Sequence, residues 1–203
     1  MKLIQHVPTR EIKLCFVISD FVRMPKRGKK YLGDISRIDF LKRLRKETAK
    51  CRKLSPAELD DFIQPHRLFV YNAADWYVAD MSVNELGVWR RAGGLPLEWT
   101  NRSLQETAKK VSTALETNSH TLKQRARHGM MNMLKTNIID LQKEKYLLPI
   151  VFKGGTGTNG RRRLKHRTKG DIDDGNMRAV ALAVNGAKTL RVYFGVPVPK
   201  KTH

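Results

Sequence analysis

"NMRAVALAVNGAKTLRVYFGVPVP", residues 176–199, can be read in two ways, and the fold depends on the choice. Ala179, Ala181 and Ala183 favour a helix from Asn176 to Val184, capped at its end by Asn185 and Gly186. The valines and the same Asn-Gly pair favour a hairpin, with a two-residue turn between "AVALAV" and "TLRVYFGV". The alanines tip the balance towards helix followed by strand, with the hairpin left as the alternative.

Outward from this segment, "YLLPIVF" (146–152) has the apolar content of a buried strand, and Pro149 places it at a strand start or a sheet edge. "EIKLCFVISDFV" (11–22), rich in β-branched and aromatic residues, predicts a further strand. "RLFVYNAADWYVADM" (67–81) predicts a hairpin or two short strands around Asn72 to Asp75. Ile35, Ile38, Leu41 and Leu44 recur at three-residue steps and predict a helix over 35–53.

Three capping-box signatures mark helix starts. Ser55 with Glu58, and Pro56 at the first helical position, open a short helix that Pro65 ends; Ser82 with Glu85 opens another, closed by Gly93 and Gly94. Ser103 with Glu106 opens a third, and a partner from about Ser119 to Lys145 buries Leu122, Ala126, Met130 and Met133. The expected architecture is a single α+β domain. Residues 1–80 and 146–203 supply a small mixed sheet, 82–145 insert a central helical hairpin, and 153–170 form a mobile basic loop.

Forty Lys and Arg against nineteen Asp and Glu give a net charge of +21 over 203 residues. Such an excess calls for a polyanionic partner, and nucleic acid is the commonest, because each phosphate neutralised releases condensed counterions. DNA is placed ahead of RNA. A membrane surface would require a basic amphipathic helix with aromatic anchors, which the sequence does not present. "IKLCFVISDFV" is interrupted by Asp20 and too short for a bilayer span or a secretory signal. Cys15 and Cys51 have neither metal-ligand spacing nor a disulfide framework, so a reducing, cytoplasmic setting is expected.

Positive charge concentrates in three places. The segment after residue 22 carries Arg23, Lys26, Arg27, Lys29 and Lys30, and the 35–53 helix carries Lys42, Arg43, Arg45, Lys46 and Lys50. Residues 153–169 hold seven Lys or Arg, four Gly and no acid, with Arg161, Arg162, Arg163, Lys165 and Arg167 at the centre. These loops and this helix face are the predicted grip on the phosphate backbone, with Arg178 beyond them.

Some motifs fall short of the chemistry they suggest. "VFKGGTGTNGRRR" (151–163) spaces Gly155 and Gly160 like a nucleotide-binding loop. Arg161 and Arg162 stand where the phosphate lysine and the magnesium-binding hydroxyl belong, which leaves only a phosphate-touching loop. The 103–145 helix pair could present Lys123, Arg125, Arg127 and His128 to a groove, but it lacks a tight glycine turn and reads better as a scaffold hairpin. The histidines show no paired metal spacing.

Asp171, Asp173 and Asp174 fall within four residues of a chain poor in acid. Gly175 and Leu182 occupy positions where a calcium loop needs ligands, so calcium does not suit the pattern. Mg2+ needs only one or two carboxylates beside phosphate and water, and Asp171, Asp173 and Asp174 are its candidate ligands. The alternative is an Asp-rich turn that caps the next element and is neutralised by Arg and Lys.

"GDIDDGNMRAVALAVNG" (170–186) resembles the RusA-type Holliday-junction resolvases. Their motif runs Asp, apolar, Asp, Asn, then an apolar helix ending near Asn-Gly. Asp171, Asp173 and Asn176 would take those places, with Asp174 and Gly175 inserted, and a strand followed by Pro25, Lys26 and Arg27 is similar to the family's opening. The likeness spans residues 11–50 and 147–195. It lacks the family's further Asp in the helix, where Ala181 stands, and the Asp pair after it, where "AKTLRVYFG" stands; Asp20, Asp75 or Asp80 would have to complete the site.

The first expectation is therefore a DNA-directed nucleic-acid-binding protein. The alternative is a Mg2+-dependent, structure-selective endonuclease. In that reading Asp171 and Asp173 hold the metal, water attacks phosphorus, and Lys169 or Arg178 stabilises the developing charge. A third reading is an RNA- or ribosome-associated structural protein. The oligomeric state, a dimer included, is left open.

Overall fold

The structure is a computed structural model, and it describes residues 1–23, 36–100, 102–135, 144–157 and 168–198. Along the chain run β1 (Lys2–Val7), α1 (Thr9–Arg23), α2 (Arg37–Cys51), α3 (Pro56–Asp60), α4 (Pro65–Asn72), β2 (Ala74–Ser82) and β3 (Leu86–Gly87). Then follow α5 (Leu97–Thr100), α6 (Leu104–Glu116), α7 (Gln124–Lys135), β4 (Ile150–Lys153), β5 (Gly170–Asp174), α8 (Asn176–Val184) and β6 (Thr189–Pro197). The class is α+β.

The sheet is mixed, with strand order β1-β2-β6-β4-β5-β3. Its long antiparallel pair, β2 with β6, runs in unbroken register from Ala74↔Pro197 to Ser82↔Thr189. β6 also pairs parallel with β4, and β4 antiparallel with β5. β1 pairs only with β2, its register slips between Leu3 and Gln5, and Leu3 and Ile4 are exposed. Gly195 lets the sheet pass beneath Trp76: an added Cβ would lie 2.8 Å from the indole. Trp76 is fully buried and donates its ring N–H to the Tyr71 carbonyl at 3.0 Å.

Residues 11–22 are a helix, not a strand. Ile12, Cys15, Phe16, Val17, Ile18 and Val22 are all buried, because α1 packs against α2, α3, α4 and β2 at once. A helix covered on most sides shows an almost continuous apolar run, which a short window cannot distinguish from a buried strand. Its charged residues escape at the edges, with Lys13 on Asp60 at 2.6 Å and Glu11 on Lys145 at 2.6 Å.

Pro65 starts α4 instead of ending α3, taking the first-turn position where a missing N–H costs nothing. Residues 67–72 thus belong to a helix, and only the second half of the expected hairpin is a strand, β2. Only half of the Ser82–Glu85 box forms: the Ser82 N–H meets the Glu85 carboxylate at 3.0 Å, but the Ser82 hydroxyl accepts the Asn84 N–H at 3.3 Å, and the segment makes a turn into β3 and opens no helix. α2 begins at its Ser36 cap; Leu44 is buried within it, but Ile38 is 66% exposed, so the apolar stripe stops short of the first turn.

The decisive segment is helix then strand: α8 ends at Asn185, and β6 follows. α6 carries the Ser103–Glu106 box, and the two helices of the expected hairpin both pack on α8 more than on each other, with Leu122, Ala126 and Met130 buried. The rest of the helix expected to reach 145 lies partly outside the described residues. No helix among the described residues is long and apolar enough to cross a membrane. Cys15 and Cys51 are buried free thiols, and burial raises both pKa values, that of Cys51 to about 11.

Candidate functional site

The acidic cluster sits where β5 turns into α8. β5 pairs Val151 with Ile172 and Ile150 with Asp174, so Asp173 is an extra residue in the ladder. Gly175, at φ 82°, then reverses the chain into α8, a left-handed conformation that costs an L-residue about 1–2 kcal/mol. Bulge and turn together send the three carboxylates to three different sets of partners.

Asp171 faces the β4–β5 connection. It accepts the Gly155 N–H at 2.7 Å and the Thr168 hydroxyl at 2.9 Å. The glycine loop expected to approach a phosphate thus turns one of its amides onto this carboxylate. Asp173, whose side chain is 2% exposed, meets α4: Arg67 Nε donates to it at 2.8 Å and the Tyr71 hydroxyl at 2.9 Å. Burial first, and the neighbouring Asp173 carboxylate second, push the Tyr71 hydroxyl well above the usual tyrosine range, so it keeps the proton it donates. The Arg67 guanidinium lies 4.7 Å from the Phe16 ring and 5.8 Å from the Trp89 ring. Asp174 turns towards α1 and α8, accepting from Ser19 at 3.1 Å and from Arg178 at 3.2 Å.

Asn176 completes the turn by accepting the Trp89 N–H at 2.8 Å, tying α8 to the segment after β3. The cluster therefore holds together α1, α4, α8 and the sheet.

These partners bear on Mg2+. A metal shared by Asp171 and Asp173 would have to displace Arg67 and Tyr71 from one carboxylate and Gly155 and Thr168 from the other. No group of three or more His, Cys, Asp or Glu among the described residues is placed to hold a metal ion. As arranged, each on its own donors, the three aspartates do not fit a common Mg2+ site.

The expected cationic residues divide by role. Arg178 is internal, bonded to Ser19 at 2.8 Å and to Asp174. Arg43, half-buried, donates to the Phe21 carbonyl at 2.7 Å and clips α2 to α1. Lys42, Arg45, Lys46 and Lys50 line the exposed side of α2; Lys50 is 3.6 Å from Glu47. Arg127 donates to the Ala114 and Ser119 carbonyls at 3.3 and 2.7 Å, so it ties α7 to the end of α6 and the connection after it. Arg23 ends α1. Lys26, Arg27, Lys29, Lys30, Arg161, Arg162, Arg163, Lys165 and Arg167 lie outside the described residues.

Lys169 donates to Glu85 at 2.7 Å, and the Met1 ammonium lies 3.0 Å from the same carboxylate. The Lys169 bond first, then the Met1 bond, bring the Glu85 pKa down to about 2. A depressed carboxylate stabilises the fold above the ordinary carboxylate range and loses that contribution as pH falls towards about 2. Denaturant midpoints measured from neutral pH down to this range should fall less steeply for Glu85→Gln than for the unsubstituted chain.

Arg67 and Tyr71 were missed as partners of the aspartates, since 106 and 102 residues separate them from Asp173. Comparison of the chain with protein-family models, with curated proteins and with solved structures gives no match.

Proposed function

We propose that this chain binds nucleic acid, with DNA ahead of RNA, by gripping the phosphate backbone. The observation that carries this reading is how the charges are sorted. Asp171, Asp173, Asp174 and Glu85 are engaged with internal partners, whereas Lys42, Arg45 and Lys46 on α2 have no carboxylate partner among the described residues. A surplus of +21 that is not neutralised within the fold is available to an external polyanion. Phosphate contacts of this kind position a protein on the backbone without reading its sequence.

The test replaces Lys42, Arg45, Lys46 and Lys50 with alanine and follows a short labelled duplex by fluorescence anisotropy. If all four meet phosphates, the slope of log affinity against log salt falls by about 3–4 units. Unchanged affinity and slope would remove α2 from the interface. The same titration with RNA decides between the leading and the ribosome-associated readings, since RNA outcompeting DNA favours the latter. Mg2+-dependent cleavage of a branched DNA, lost in Asp171→Asn, would instead establish the resolvase-like reading.

A further inference from the structure

The outward faces of α2 and α7 differ in chemistry. α2 shows solvent Lys42, Arg45, Lys46 and Lys50, side chains that answer phosphate charge and carry no base-reading pattern. α7 packs on α8 and on the Ala92–Gly94 turn, with Ala126 and Met130 buried and Met133 and Leu134 half-buried. On its other side Gln124, His128 and Met131 follow one another at steps of four and three residues, and all are exposed, Met131 by 39%. Arg125 and Asn132 border this stripe, and the Asn132 amide lies 3.2 Å from the His128 ring. Amides and a thioether bring no charge to a phosphate. They match the edges of base pairs, where Gln or Asn pairs with adenine and an apolar group meets the thymine methyl.

Cations stand beside the stripe. Residues 86–97 and 117–139 contain no acid, and the two segments meet where α7 touches the Ala92–Gly94 turn. Arg90 and Arg91 are exposed just before that turn. Arg91 is held at φ 57°, ψ 26°, a left-handed conformation that a Cβ opposes and glycine accepts. Its N–H donates at 2.8 Å to the hydroxyl of Thr100, a fully buried residue, so the fold fixes the strained position.

We propose that α7 enters the major groove of duplex DNA, with Gln124, His128 and Met131 against the base edges and Arg90 and Arg91 on the phosphates at the rim. The B-form major groove, about 12 Å wide, admits an α-helix, whereas the deep, narrow groove of duplex RNA does not. Strain at Arg91 then has a use, because it aims a guanidinium from a position where glycine would sit more easily. The proposal rests on the nucleic-acid reading above and adds sequence preference to it, which the α2 contacts cannot supply.

The experiment selects bound duplexes from a random-sequence pool with the full chain, then compares the enriched duplex with a scrambled one by anisotropy. Gln124→Ala/His128→Ala, at two exposed positions, should lower affinity for the enriched duplex by about tenfold and leave the scrambled one nearly unchanged. Arg91→Gly should weaken binding to both duplexes alike, with a salt slope smaller by about 1, yet unfold no earlier on heating, since glycine relaxes φ. No enriched sequence, or an enriched sequence whose advantage survives Gln124→Ala/His128→Ala, would overturn base reading by α7 while leaving nucleic-acid binding standing. Unchanged affinity in Arg91→Gly would overturn the placement of the turn on the rim. No binding of any duplex by the unsubstituted chain would overturn this proposal and the nucleic-acid reading together.

Discussion

Arg67→Ala lowers the stability of the folded chain by about 3–5 kcal/mol, the usual consequence of removing one member of a buried ion pair. The Asp173 side chain is 2% exposed, and without Arg67 it keeps the Tyr71 hydroxyl but loses the guanidinium that donates to it at 2.8 Å. A carboxylate in that position must admit water or distort the β5–α8 turn. Urea unfolding measures the loss, a large share of the roughly 5–15 kcal/mol that a domain possesses. Asp173→Asn should cost less, because Arg67, 14% exposed, can turn its charge towards solvent. Arg67→Met combined with Asp173→Leu should recover much of the loss, since it leaves no buried charge unpaired. A change of under about 0.5 kcal/mol in Arg67→Ala, the range of ordinary surface substitutions, would mean that the pair does not hold the fold together.

Affinity for duplex DNA falls by about 10³–10⁵ between about 50 and 200 mM salt if some 6–10 phosphates are met. The prediction follows from counterion release and requires only that the excess cations lie close enough together to follow a phosphate chain. It is checked by equilibrium titration at several salt concentrations, with the logarithmic slope giving the number of phosphates engaged. A flat profile would mean that the charge is dispersed over the surface or directed at a different partner, and would remove the proposed function.

The parts of the fold legible in the sequence are those set by local hydrogen bonding. Ser55 with Glu58 and Ser103 with Glu106 mark helix starts, and the alanines of 179–183 mark α8. The same local rule misleads at Ser82. Only half of its box forms, since β2 runs right up to it and Leu86–Gly87 are drawn into pairing with β5, so sheet contacts override the helix. α1 was illegible for a different reason: being packed on most sides erased the 3.6-residue alternation that reveals an amphipathic helix.

At the candidate site, the sequence singled out Asp171, Asp173 and Asp174 by the rarity of acid, and the structure places them along β5, each with its own partners. Their partners were only partly visible. Arg178, four residues beyond Asp174, could be inferred from helical spacing, while Arg67 and Ser19 reach the turn from far along the chain.

β1 leaves one side of its backbone open among the described residues, with Leu3 and Ile4 uncovered. Such an open edge invites a strand of another molecule to add on, the first step towards aggregation. Two safeguards differ in kind: the irregularity between Leu3 and Gln5 spoils the template, and mutual repulsion at +21 keeps copies apart. Only the first survives high ionic strength, so the concentrated salt that would strip this chain from a polyanion also leaves its molecules most prone to stick to one another.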